Sequence, residues 1–271
     1  RRPDRTVMAL LEGRAVLLSD HSPEALIFPT DYNSFIKTTD DYYTRWEIAT
    51  FTRALRYVAS VLSMILPGLY LAMTNFHTQL LPTKLLLSFA AARQGVPFPG
   101  EVEVLIMELS FELLREAGVR LPGAMGNTIG IVGGLIIGQA AVDANIVSPM
   151  VVIVVAFTAL CSFAIPNEDF ATAFRLLKFA FIGLAAALGF YGFLLGILVL
   201  LIHLAQLESF GVPYLMPVVG AELSGYKDAQ DTLMRPPMWS LHRRPIYAKR
   251  NNRIRLRIKK QGKNTNTDRE K

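Results

Sequence analysis

Glu101, Glu108, Glu112 and Glu116 are the residues whose type and spacing could do chemistry in this chain. At about 100° per helical residue they fall within about 80° of one another, with Arg115 beside them. A row of carboxylates on one helix face attracts cations and repels anions, and repeated around a ring it becomes a cation filter. The other faces carry Val102, Leu105, Ile106, Met107, Leu109, Phe111, Leu113 and Leu114, with Glu103 as the exception. The stretch from Glu101 to Ala117 therefore reads as an amphipathic helix. A helix lying on a membrane surface favours Lys and Arg on its polar face, because anionic headgroups repel glutamate. A stripe facing water inside an assembly fits the sign of the charge better, and a surface helix is the alternative.

Covalent chemistry has no visible machinery. There is no glycine-rich phosphate loop, no His-Glu-x-x-His, no Gly-x-Ser-x-Gly and no paired metal-ligand spacing. The four histidines, at positions 21, 77, 203 and 242, lie in different regions. The one cysteine, Cys161, can form no internal disulfide. The expectation is a protein that is not an enzyme and holds no cofactor or metal.

The elements that must carry the stripe are membrane helices. Hydrophobic residues make up 52% of the chain and charged residues 18%, against about 25% charged in a soluble domain. The deficit is concentrated. Tyr57 to Phe76, Leu121 to Val142 and Ala144 to Asn167 carry no charge, and Phe179 to Leu207 has His203 as its one ionisable residue. Crossing a bilayer takes roughly 20 apolar residues of helix. Spans are therefore expected at about 54–76, 124–142, 147–165 and 175–206. Pro67-Gly68 should kink the first. Leu80 to Ala92 is too short to cross and reads as re-entrant or interfacial.

In the second span Gly126, Gly130, Gly134 and Gly138 recur every four residues on one face. Such a face lets helix backbones approach closely. It is expected to mediate homo-oligomerisation, although the same spacing could serve contacts within one chain. Gln139, Val142 and Asp143 close this span and form a second candidate lining, where a path would narrow.

Three regions follow. Residues 1–44 read as the C-terminal end of a soluble α/β domain, with Ala15 to Leu18 and Ala25 to Phe28 forming a hairpin around Asp20-His21-Ser22-Pro23. Residues 45–210 form the transmembrane domain, a mainly α, polytopic helical fold. Residues 211–271 form a tail, whose last 30 residues carry a charge of +10 while the rest of the chain sums to −4. Nucleic acid is not expected as its partner. A cytoplasmic tail near anionic lipid headgroups is, and Arg45, Arg53 and Arg56 before the first span place that end in the cytoplasm as well. The chain opens Arg1-Arg2-Pro3 without a methionine, as expected of an excerpt.

Several motifs in order give the sequence a family likeness. Arg2-Pro3-Asp4-Arg5 is followed by Leu10-Leu11-Glu12-Gly13-Arg14, then by Asp40-Asp41-Tyr42-Tyr43. Gly95-Val96-Pro97-Phe98-Pro99, Glu112-Leu113-Leu114-Arg115-Glu116-Ala117 and Val132-Gly133-Gly134-Leu135-Ile136-Ile137-Gly138 come next. Leu204-Ala205-Gln206-Leu207-Glu208-Ser209-Phe210-Gly211-Val212-Pro213-Tyr214, Lys227-Asp228, Arg235-Pro236-Pro237-Met238-Trp239 and Arg243-Arg244-Pro245 complete the series. In these the chain resembles the A subunits of the nutrient germinant receptors of bacterial spores, the GerA type, over nearly all of residues 1–247. Met238 departs from the aromatic residue expected there. The resemblance implies a subunit in the spore inner membrane that works with a transporter-like B subunit and a lipoprotein C subunit. It further implies a homo-oligomeric ring that releases ions when nutrient arrives. A transporter component or a non-conducting scaffold of a germination complex is the alternative.

Overall fold

The computed structural model describes residues 3–120, 124–219, 231–237 and 239, and at 120 and over 124–132 it describes the backbone alone. The basic tail from His242 onward therefore lies outside the described residues.

The chain begins with helix α1 (Pro3–Glu12) and the antiparallel pair β1 (Ala15–Leu18) and β2 (Ala25–Phe28), in register Ala15 to Phe28 and Leu18 to Ala25. The hairpin is the one expected, and His21, at φ 62°, turns it. Helix α2 (Tyr32–Ile36) and a 3₁₀ turn (Thr39–Tyr42) lead to α3 (Trp46–Leu71), which ends in a π turn at Ala72–Phe76. Helix persists through Pro67, and the irregularity falls after it. Then come α4 (Thr83–Ala92), α5 (Gly100–Arg120), α6 (Ala124–Asp143), α7 (Pro149–Phe163) and α8 (Glu168–Gln206), and a two-residue pair, β3 (Glu208–Ser209) with β4 (Val212–Pro213). Local chemistry sets the boundaries. Ser148 and Pro149 open α7, which stops before Pro166, a residue that cannot continue a helix. Asn167 caps α8 by accepting from the Phe170 amide at 2.8 Å, and Glu168 and Asp169 sit where the helix dipole favours acids.

Among the described residues two helices are long and apolar enough to cross a membrane: Trp46–Phe76, of 31 residues, and Glu168–Gln206, of 39. At ten residues, α4 is too short, as expected.

The second long helix differs from the single span expected at 175–206. Gly189 lies at φ 62°, ψ −140°, outside helical geometry. In a straight helix, Phe181 and Phe193 would stand about 18 Å apart along the axis. Their rings lie 5.8 Å apart. A Cβ on Gly196 would fall 3.0 Å from Phe181 Cε1, and one on Gly192 only 2.3 Å from the Leu184 carbonyl oxygen. So α8 is a hairpin of two arms, 168–188 and 190–206. Gly189 makes the turn because positive φ is strained for any residue with a Cβ. Gly192 and Gly196 let the arms touch.

Contacts fix the direction of each helix. Tyr32 packs on both Tyr57 (6.2 Å) and Phe170 (5.4 Å), Gly68 meets the Phe181 backbone, and Phe76 meets Gly189. The first arm of α8 therefore runs parallel to α3. Glu108 pairs with Lys178 and Glu112 with Arg175, so α5 runs antiparallel to both. Leu114 faces Gly133 and Phe111 faces Gly134, which sends α6 back, and α7 then runs alongside α5, Ser148 bonding Glu103 and Ser162 bonding Arg115. The acidic helix thus traverses the bundle beside the longest helices. Met107, Val104, Val147, Val151, Val155, Phe181 and Ala185 fill the core between them.

The segment before α3 and the segment after α8 meet at the end where α3 begins. The Tyr32 amide donates to the Tyr214 carbonyl at 2.9 Å, Asn33 Nδ2 donates to the Met216 carbonyl at 2.6 Å, and Phe28 stacks on Phe210 at 5.0 Å.

Candidate functional site

The acidic face of α5 is engaged along its length. Glu101, half-buried, accepts from the Asn75 amide in the π turn of α3. Glu108 is 2% exposed, and its Oε2 lies 2.5 Å from Lys178 Nζ, itself on a residue 5% exposed. One turn further, Glu112 Oε1 lies 2.5 Å from Arg175 Nη1, whose Nη2 also donates to Thr172 Oγ1 at 2.6 Å. Arg115 turns the other way, donating to Ser162 and stacking over Phe163 at 4.3 Å. Glu116 is exposed. The geometry is a ladder: glutamates four apart on α5 meet cations three apart on α8, each spacing keeping its pair on one face.

Glu103, the exception to the stripe, is fully buried on the opposite side. Its Oε2 accepts the Ser148 amide at 2.7 Å and its Oε1 lies 3.2 Å from Arg93 Nη2. It fixes the start of α7 against α5 and draws the loop after α4 inward.

The sequence-derived candidates separate into groups. Glu101, Glu108 and Glu112 share one face, as their spacing requires, but that face meets α3 and α8 within the chain. Gln139 and Asp143 are exposed and joined, Nε2 donating to Oδ1 at 2.9 Å, while Val142 packs on the core. Gly134 and Gly138 face inward, a Cβ on each falling 3.2 Å from Phe111 and Val152 respectively. That half of the glycine stripe serves packing within the chain. The surroundings of Gly126 and Gly130 lie outside the described residues.

A second cluster sits where α3 begins. Arg53 is fully buried. Its Nη1 donates to Asp231 Oδ1 at 2.7 Å and its Nε to Asp41 Oδ2 at 3.4 Å. Arg56 holds both oxygens of Asp41, at 2.6 and 3.0 Å, and the Tyr42 hydroxyl donates to Asp231 Oδ2 at 2.6 Å. Lys37 lies 3.6 Å from that oxygen. Arg235 donates to the carbonyls of Thr44 and Tyr42, and the guanidinium groups of Arg53 and Arg235 both face the Tyr42 ring. Burial acts to raise Asp41, but Arg56 and Arg53 overcome it and leave the carboxyl below its ordinary range. Asp231 is lowered in the same way, with Lys37 and Arg53 outweighing burial. Tyr42 is pushed well up, by burial first and then by Asp231.

Sequence reasoning missed the partners, not the stripe. Arg53 and Arg56 read as membrane-flanking charge, yet both are spent on aspartates. Lys178 and Arg175 carried a usable signal, being the last two cations before a charge-poor stretch and three apart. Among the described residues no group of three or more His, Cys, Asp or Glu could hold a metal ion.

Charged residues facing the interior of an apolar helical bundle pair with one another, and here Glu108 and Lys178 do so between α5 and α8. The chain belongs to the Bacillus/Clostridium GerA spore germination protein family, whose model matches residues 1–247. Spore germination protein KA of Bacillus subtilis (strain 168) is 47% identical over 254 residues, covering 94% of this chain and 46% of that protein. Spore germination protein GerLA of Bacillus cereus is 45% identical over 246 residues, 91% of this chain and 49% of the other. Spore germination protein B1 of Bacillus subtilis (strain 168) is 44% identical over 256 residues, 94% and 52%. The chain thus spans about half the length of the curated relatives it matches. No solved structure matches it.

Proposed function

We propose that this chain is the membrane portion of an A-type subunit of a nutrient germinant receptor in the spore inner membrane, and that it contributes the cation path of an oligomeric, nutrient-gated channel. Its partners on this reading are further copies of itself, a transporter-like B subunit and a lipoprotein C subunit, with both ends of the chain on the cytoplasmic side. Anionic lipid headgroups engage the basic tail. Family membership supports the receptor role. The observation that carries the channel reading is α5, a helix that traverses the bundle with three glutamates on one face. Charged side chains at such depth line paths or pair with each other. Glu108 and Glu112 are paired within the chain, and Glu116 and the Gln139–Asp143 pair are exposed polar groups from which a ring of copies would build a mouth.

A non-conducting scaffold is favoured by the same pairing, since neutralised carboxylates need no path. The test is ion flux through the complete receptor reconstituted in liposomes, with and without nutrient. Nutrient-evoked cation flux is expected. Saturable solute uptake without conductance would replace the channel with a carrier, and no transport of any kind would leave the scaffold.

A further inference from the structure

We infer that Lys178, with Arg175, is the latch that keeps the acidic face of α5 closed, and that opening carries Glu108 and Glu112 away while both cations stay behind. The inference rests on the channel reading above and adds which side of the ladder moves.

The packing is asymmetric. The first arm of α8 is locked to α3 by backbone approach: a Cβ on Gly68 would meet the Phe181 carbonyl oxygen at 3.0 Å and its carbon at 3.1 Å. At its far end, Phe76 fills the space over Gly189, where a Cβ would fall 2.7 Å from Phe76 Cγ and 3.0 Å from its Cβ. Such contacts cannot slide without separating two backbones. The seat of α5 is different. Val104 and Met107 are its buried apolar side chains, while Leu105, Leu109 and Leu113 on the other side are exposed. What joins α5 to α8 at mid-depth is the pair of ion contacts. Each glutamate uses one oxygen on its cation, and Glu108 Oε1 is buried with no hydrogen-bond partner. An unsatisfied acceptor in the interior favours a rearrangement that hydrates it. A rotation or outward shift of α5 would do so, baring two carboxylates one turn apart and leaving Lys178 and Arg175 on the α3–α8 wall.

The direction of movement is testable because exchanging the partners preserves the pair and reverses what opening exposes. The complete receptor is reconstituted with Glu108→Lys together with Lys178→Glu, and nutrient-evoked cation and anion permeabilities are compared with the wild type. The exchanged receptor is expected to assemble, stay closed without nutrient, and lose cation preference by about tenfold or more, because the moving helix now carries a cation into the path. Unchanged cation selectivity in an assembled, conducting exchange variant overturns the latch. Where the exchange does not assemble, Glu108→Leu with Lys178→Met decides. It removes both charges from a buried pair, a change that proteins tolerate. An assembled receptor with nutrient-evoked conductance at least about tenfold down supports the latch, since one bared carboxylate is gone. Wild-type conductance in that variant overturns it. Wild-type receptors that pass no ions at all bring down the channel reading itself, and the latch with it.

Discussion

The ionic cluster at the start of α3 and the ladder between α5 and α8 are built differently. Around Arg53 every carboxylate oxygen is used: Asp41 holds Arg56, Arg53 and Thr38, and Asp231 holds Arg53 and Tyr42, with Lys37 beside it. Between α5 and α8 each glutamate meets one cation through one oxygen. The first cluster joins sequence-distant segments, the turn before α3 and residues 231–235, at one end of the bundle. The second joins two helices midway along their length. Carboxylates with every oxygen engaged have no better arrangement to move to, although Arg53 Nη2 is buried without a partner, so this cluster fixes geometry. A singly bonded ladder has spare acceptors and can be exchanged for water. The contrast assigns anchoring to the end of the bundle and movement to its middle.

The strongest way to break that contrast is to remove the central cation of each cluster. Arg53→Met leaves buried Asp41 and half-buried Asp231 without their shared partner, a loss of about 3–5 kcal/mol for a broken buried pair. Lys178→Met strips one partner from one glutamate and is expected to cost less. Melting temperatures of the detergent-solubilised chain measure both. Equal losses would mean that the ladder anchors as firmly as the terminal cluster.

The hairpin in α8 comes next, because it holds the wall against which the ladder closes. Gly192→Ala would place a Cβ 2.3 Å from the Leu184 carbonyl oxygen, a backbone atom with no freedom to yield. Overpacking of this kind costs about 1–3 kcal/mol. Disulfide cross-linking of cysteines placed at positions 181 and 196 reports whether the arms still meet. Undiminished cross-linking in the alanine variant would show that the arms part readily.

Much of this architecture was legible in the sequence. The hairpin Ala15–Leu18 with Ala25–Phe28 was read to the residue, since apolar runs flanking Asp-His-Ser-Pro leave one register. The glutamate face of α5 was legible because helical period depends on spacing alone. Partners were not, because a run of residues around Lys178 says nothing about which helix it meets. The fold-back of α8 was hidden for a different reason. Gly189, Gly192 and Gly196 sit in one uncharged apolar run, and composition does not distinguish a glycine that packs from one that turns. Residues 28–33 and 210–216 meet at one end of the bundle, and α5 and the second arm of α8 are traversals of the bundle that sequence left out.

Acid should separate the two clusters without any substitution. Asp41 and Asp231 are held below the ordinary carboxyl range, so their contribution is complete above the unfolded pKa, near about 4. It is lost as pH falls through the lower folded values. Spin labels at exposed Tyr43 and Leu233 report the distance across the cluster. A narrow distribution is expected at neutral pH and a broad one well below pH 4, with Arg53→Met broad at both. A narrow distribution for the wild type at the acid end would show that other contacts hold residues 231–235.

The smallest effect belongs to the outer rung. Arg175 and Glu112 are 2.5 Å apart, but their side chains keep 18% and 35% of their exposure. Water screens such a pair, and exposed pairs contribute about 0–1 kcal/mol. Glu112 keeps enough exposure to be hydrated when the guanidinium is removed, so its carboxylate is not left stranded in the interior. Arg175→Gln should therefore shift the melting temperature by little more than experimental error. If Glu112 is one of the carboxylates bared on opening, the same substitution should still ease opening, because the resting pair is weakened while the open state is untouched. The expected signature is a lower nutrient concentration for half-maximal ion flux at unchanged stability. A stability loss comparable to that of Lys178→Met would show that both rungs are buried alike in the assembled receptor. An unchanged nutrient response with unchanged stability would confine the latch to Glu108 and Lys178.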